Sequence, residues 1–173
     1  MPSGTGSGKK ERSKAMHIGV ISDTHLGMPS QELKALLAGP FKGVDTILHA
    51  GDLTELAVLE AFAGKNLLAV CGNMDAQPVR RQLPSQRVLR TGKFSIGLVH
   101  GWGAPQGIEE RVAKEFAKMD CIVYGHTHAA SQRERGWVLF FNPGAFDGGR
   151  GRSPRSVGLL SLGEAISGQI IYL

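Results

Sequence analysis

HIGVISDTH, residues 17–25, is an apolar, β-branched run that stops abruptly in an aspartate, a threonine and a histidine. A run of this kind closed by polar residues reads as a buried strand opening into a loop. The same shape returns four times. VDTILHA (44–50) leads into Gly51-Asp52, NLLAVC (66–71) into Gly72-Asn73, FSIGLV (94–99) into His100-Gly101, and DCIVY (120–124) into Gly125-His126-Thr127-His128. Five strands therefore end in a metal-capable side chain, and in α/β sheets ligands gather beyond the carboxyl ends of strands.

Helical patterns separate the early strands. Ser30 is placed to cap a helix with Leu33, Leu36 and Leu37 on one face, and LTELAVLEAFA (53–63) reads as a second helix. PQGIEERVAKEFAKM (105–119) carries an apolar stripe of Ile108, Val112, Phe116 and Met119, with Glu110 and Lys114 as an i,i+4 pair. The stretch between Gly72 and the strand QRVLRT (86–91), with Pro78 and Pro84, reads as a long turn-rich connection. WVLFFN (137–142), SVGLLSL (156–162) and GQIIYL (168–173) are further strands, the last two joined by a turn through Gly163 to Ser167. The class is α/β, and two sheets packed face to face with helices on their outer faces would use all these pieces.

A chain of 173 residues supports one domain, and its 42% apolar and 20% charged content is that of a globular protein. No apolar run approaches the roughly 18 residues needed to cross a bilayer, so no membrane partner is expected. Residues 1–15, MPSGTGSGKKERSKA, lack an apolar core and are expected to be a disordered tail, leaving 16–173 as the domain. That tail carries four of the 20 basic residues and one of the 15 acidic ones, so a net +5 becomes +2 without it. The charge gives no clear nucleic-acid signal. Arg80, Arg81, Arg87 and Arg90 form one basic cluster and Arg150, Arg152 and Arg155 another, read as solvated loops or as contacts to an anionic substrate. Cys71 and Cys121 sit in apolar runs without C-x-x-C spacing, which suits buried thiols and a cytoplasmic address.

YGHTHAA (124–130) sets two histidines one residue apart, weak evidence by itself. Its weight comes from the other strand ends. Three oxygen donors (Asp23, Asp52, Asn73) and four imidazoles (His25, His100, His126, His128) exceed one tetrahedral ion and suffice for two ions of higher coordination sharing a carboxylate. Mixed N and O donors without thiolates favour Mn²⁺, Fe²⁺, Zn²⁺, Co²⁺ or Ni²⁺ over Ca²⁺ or Mg²⁺. Singly, each residue has a plainer reading: Asp23 or Asp52 as a helix cap, Asn73 as a turn residue, His100 as a strand-end histidine. His49 is read either as a donor standing behind Asp52 or as a satisfied core histidine.

D-x-H, GD, GN, H and GHTH in this order resemble the calcineurin-like metallophosphoesterases. GNMD (72–75) and NPGA (142–145) resemble their small bacterial and archaeal phosphodiesterase branch. The resemblance implies a four-layer α/β/β/α sandwich of two mixed β-sheets flanked by helices. It implies a phosphodiesterase acting on a small-molecule phosphoester, with two divalent cations, Mn²⁺ first among them, and a metal-bridging hydroxide for in-line attack. Asp23, His25 and His128 would hold one ion, Asn73, His100 and His126 the other, and Asp52 would bridge; Asn73 would also meet substrate. Two departures stand out. Met74 occupies the place where many members carry an acid-donating histidine, leaving the general acid unassigned, with Asp75 read as an acid or, in preference, as an acceptor behind the ligands. Trp102 stands where the small phosphodiesterases commonly repeat a histidine, to line the pocket or simply to pack. The rival reading is a protein-binding scaffold, since a retromer subunit shares the fold with a degraded metal site. The seven intact donors favour the enzyme, while natural substrate and homo-oligomer formation stay open.

Overall fold

The structure is a computed structural model and describes residues 16–173; the expectation for residues 1–15 lies outside them. In chain order the first half holds β1 (Met16–Ile21), α1 (Gln31–Ala38), β2 (Thr46–His49), a 3₁₀ helix (Leu56–Phe62), β3 (Asn66–Ala69), α2 (Gln77–Gln82), β4 (Gln86–Thr91) and β5 (Phe94–Val99). The second half holds α3 (Ile108–Ala113), β6 (Cys121–Val123), β7 (Ser131–Arg135), β8 (Val138–Asn142), α4 (Gly148–Gly151), β9 (Ser156–Leu162) and β10 (Ile166–Tyr172).

The strands form two mixed five-stranded sheets, ordered β10-β9-β1-β2-β3 and β4-β5-β6-β8-β7. β1, β2 and β3 are parallel in the first, as are β5, β6 and β8 in the second. Alternation along each strand separates the layers. Ile18, Val20, Leu48 and Val70 face Ile96, Leu98, Val123 and Phe141 in a core between the sheets. Ile21, Ile47 and Val157 face outward onto Leu33 and Leu36 of α1. Val99, Ile122 and Phe140 do the same beneath Ile108 and Val112 of α3. Each such fully buried side chain contributes roughly 1.5–3 kcal/mol. Helix, sheet, sheet and helix thus stack in four layers. Among the described residues no helix is long and apolar enough to cross a membrane.

Several elements differ from their sequence reading. The helix expected over 105–119 is regular only at Ile108–Ala113, and the one expected over 53–63 is a 3₁₀ helix without a side-chain cap. The connection after Gly72 contains α2, started by Pro78 near its N-terminus, where a missing N–H costs nothing. β7, SQRER, was not expected at all. It has no apolar face because it is an exposed edge strand, held by its antiparallel pairing with β8. Ser30 caps α1 as expected, accepting the Leu33 N–H at 3.1 Å.

Candidate metal centre

The loops after β1, β2 and β6 carry their polar residues in left-handed backbone: Asp23 (φ 52°), His25 (47°), Asp52 (55°), His126 (68°) and His128 (59°). Non-glycine residues are uncommon there, Asp and His less so than most, and each costs on the order of 1 kcal/mol or more. Inter-loop hydrogen bonds hold these turns. The Asp23 N–H donates to Gly51 O and the His25 N–H to Asp52 O, both at 3.0 Å, and the Gly125 N–H donates to His100 O at 3.0 Å. Two glycines make room: a Cβ on Gly72 would lie 2.1 Å from Asp52 Oδ1, and one on Gly125 1.9 Å from Ser22 Oγ.

Around this backbone the side chains form two adjoining groups. In one, Asp23 Oδ1 stands 3.1 Å from His128 Nε2 and 3.9 Å from His25 Nε2, and the two imidazole nitrogens are 3.5 Å apart. Ligand atoms of Asp23, His25, Asp52 and His128 all lie within 4.8 Å of one another. In the other, Asn73 Oδ1 stands 3.1 Å from His100 Nε2 and 2.9 Å from His126 Nδ1. Asp52 belongs to both. Its Oδ1 accepts the Met74 N–H at 2.7 Å, while its Oδ2 faces His100 Nε2 at 3.3 Å and His25 Nε2 at 3.9 Å.

The protons decide what such a site can accept. His100 Nδ1 lies 2.7 Å from Ala50 O, and His126 Nε2 lies 2.9 Å from Gly103 O. A carbonyl only accepts, so each of these nitrogens bears a proton, and in the neutral ring the opposite nitrogen keeps its lone pair. In the neutral rings those two nitrogens face the Asn73 carbonyl oxygen, acceptor against acceptor. Asp23 Oδ1 is fully buried and makes no well-formed hydrogen bond, with His128 Nε2 3.1 Å away. Cations resolve both conflicts, and these residues could hold them.

The protein's own charges point the same way. Burial works against charging His100, but the Asp52 hydrogen bond and the Asp23 charge raise its pKa above the ordinary value. Asp23 raises that of His128 likewise, against burial. Burial pushes the Asp52 carboxyl up, yet His100 and the Met74 N–H outweigh it and hold Asp52 below the usual carboxylate range. The centre attracts positive charge.

Further residues hold the loops. Both Asp75 oxygens accept backbone N–H groups at 2.6 Å, from Thr54 and Gly72. Both oxygens are thus engaged as acceptors that hold the loops. His49 Nδ1 accepts the Gly51 N–H at 3.2 Å and its Nε2 meets Thr24 Oγ1 at 3.3 Å, so the ring shapes the loop before Asp52 without touching the Asp52 carboxylate. Arg80 donates to the carbonyls of Asp75 (2.8 Å) and Asn73, a role its place in a basic cluster concealed. Asn142, quoted above only within NPGA, donates to Gly125 O at 2.9 Å and Thr127 Oγ1 at 3.0 Å. A cleft of about 260 Å³ over the centre is lined by His25, Asp52, Asn73, His126 and His128, with Met74, Gly149, Arg150 and Arg152. Arg155 does not line it: its Nε donates to Phe146 O at 2.9 Å and its guanidinium stacks 5.1 Å from the Phe146 ring.

Residues 16–165 match the calcineurin-like phosphoesterase superfamily domain. A probable metallophosphoesterase of Methanothermobacter thermautotrophicus is 34% identical over 161 residues, covering 90% of this chain and 92% of its own. The phosphodiesterase YfcE of Escherichia coli is 33% identical over 84% of this chain and 87% of its own. Among solved structures, vacuolar protein sorting 29 of Cryptosporidium parvum superposes with a TM-score of 0.70 at 22% identity, over 92% of this chain and 98% of its own, a likeness of fold.

Proposed function

The chain belongs to the calcineurin-like phosphoesterase superfamily, and from that premise we propose that it is a phosphodiesterase working with two divalent cations, Mn²⁺ foremost, on a small phosphoester. The observation that carries this reading is the pair of donor groups sharing Asp52 Oδ2. Asp23, His25 and His128 would hold one cation, Asn73, His100 and His126 the other, and Asp52 would serve both. When bound, such a pair supplies an activated water and neutralises charge on the phosphoryl oxygens. The remaining work falls to the chain. Asp75, Arg80 and Asn142 keep the donor loops in place, and Arg150 and Arg152, lining the cleft, are positioned to meet an anionic phosphate. Apart from the proposed ligands, no side chain lining the described cleft offers an acid to the leaving group, since Met74 cannot and Asp75, outside the lining, is engaged by backbone. Two free thiols suit a reducing, cytoplasmic setting.

The test is metal analysis combined with Asp52→Asn. Because Oδ1 is committed to the Met74 N–H, the amide of the variant turns its NH₂ toward both donor groups, where a donor cannot bind a cation. Wild type should hold two metals per chain and hydrolyse bis(p-nitrophenyl) phosphate. The variant should lose the second metal and nearly all turnover while keeping its fold by circular dichroism. A wild-type protein that binds no metal and is inert would favour the scaffold reading, and one metal with full activity would overturn the dinuclear one.

A further inference from the structure

Beside the candidate centre a second, smaller groove of about 130 Å³ runs from Asn73 and His100 past Cys71 and Val99 to Trp102 and Glu115. It shares two of its walls with the metal site, so a substrate whose phosphate sits over the cations would reach it directly. Trp102 is 43% exposed, an unusual exposure for so large an apolar ring. Its backbone is not free to move. Arg111 of α3 donates from Nε to Trp102 O at 3.0 Å, from Nη1 to Gln106 O at 2.9 Å and from Nη2 to Ala104 O, fastening the loop to the helix. The loop that carries the indole is thus fastened, and Trp102 lines a groove that adjoins the phosphate site through Asn73 and His100. The far rim is polar, with Ser85, Gln86 and Glu115.

We propose that this groove is a subsite for the nucleobase of the substrate, with Trp102 as its stacking platform, so that the preferred substrate is a nucleotide diester. This rests on the phosphodiesterase reading above and narrows it. The volume equals the share of about four liquid waters, which suits a single flat ring. An aliphatic group would leave the polar rim unpaired, whereas a heterocycle offers donors and acceptors at its edge and a π-face to the indole.

The experiment compares two esters with the same leaving group, thymidine 5′-(p-nitrophenyl) phosphate and methyl p-nitrophenyl phosphate, in metal-loaded full-length protein. Wild type should favour the thymidine ester. Trp102→Ala should erase that preference, raising KM for the thymidine ester about ten-fold with little change for the methyl ester, and Trp102→Phe should largely restore it. A second readout is independent of turnover. In Trp137→Phe, which removes the other, 85% exposed tryptophan, thymidine 5′-monophosphate should quench the remaining indole emission and inorganic phosphate should not. Equal effects of Trp102→Ala on both esters, or the same response to nucleotide and phosphate, would overturn the subsite. Quenching by the nucleotide without hydrolysis of either ester would leave the subsite standing and sink the hydrolase reading instead.

Discussion

His49 is fully buried, fixed by Gly51 and Thr24, and burial above all drives its pKa down to about 3. In the unfolded chain the ring takes a proton near pH 6.5, whereas in the folded protein it stays neutral almost to pH 3. The sign follows. Its contribution to stability is fully present above about pH 6.5 and is lost as pH falls toward 3, at about 1.4 kcal/mol per pH unit. His49→Asn, whose carbonyl can still accept the Gly51 N–H, should flatten that slope between pH 6.5 and 4 in urea melts. Parallel curves for wild type and variant would refute it. The sequence placed His49 three residues before Asp52 but left its role open, because the choice turns on a backbone N–H two residues away that no side-chain pattern encodes.

At the level of elements, the GHTH turn depends on the end of β8. Asn142, fully buried, satisfies the buried Gly125 O and the half-buried Thr127 Oγ1 and accepts the Gly144 N–H at 2.9 Å. Asn142→Ala leaves those partners unmet, at a cost of about 1–3 kcal/mol for each group that water cannot reach. It also frees the turn that carries His126 and His128. Metal affinity, titrated against a chelating dye, should fall 10–100-fold, the range usual for supports of metal ligands. Unchanged affinity would mean that the turn is rigid without Asn142. Gly125→Ala should be worse, since its Cβ would overlap Ser22 Oγ. Other elements taught the opposite lesson. The apolar stripe over 105–119 is real, and Ile108, Val112 and Met119 are buried in one cluster, yet the regular helix stops at Ala113. Periodicity reported which residues would be buried more faithfully than how the backbone would get them there.

For the molecule as a whole, the proposed phosphodiesterase activity makes the arrangement of the cleft bear on which diesters would be cleaved. On the reading proposed above, with Asp75 held as an acceptor and Met74 in the place of an acid, charge would build on the departing oxygen. A plot of log kcat/KM against leaving-group pKa should therefore be steep, and simple alkyl diesters should be slower than aryl diesters by about the 10²–10⁴ that acid catalysis usually supplies. A flat plot would reveal an acid that the structure does not identify. Replacing Arg150 and Arg152 with Gln should raise KM with little loss of fold, because both are exposed lining residues, and an unchanged KM would return them to the solvated surface. Arg155, bound to Phe146, should affect stability instead.

What the sequence alone determined was local: apolar runs of strand period, each stopped by a polar side chain, and hence the layered α/β character and the list of donors. A strand's end and its last residue are set within a few positions by alternation and by glycine, so both are written where they act. What only the tertiary structure decided was which donors meet and in what protonation. Asn73 faces His100 and His126 because β3 of one sheet and β5 and β6 of the other end at the same edge. Which nitrogen of each ring carries a proton in the neutral form depends on the carbonyls of Ala50 and Gly103. Such partners are backbone atoms, alike at every position of a sequence, and they acquire individuality only when the sheets pack and bring one of them to a particular ring nitrogen.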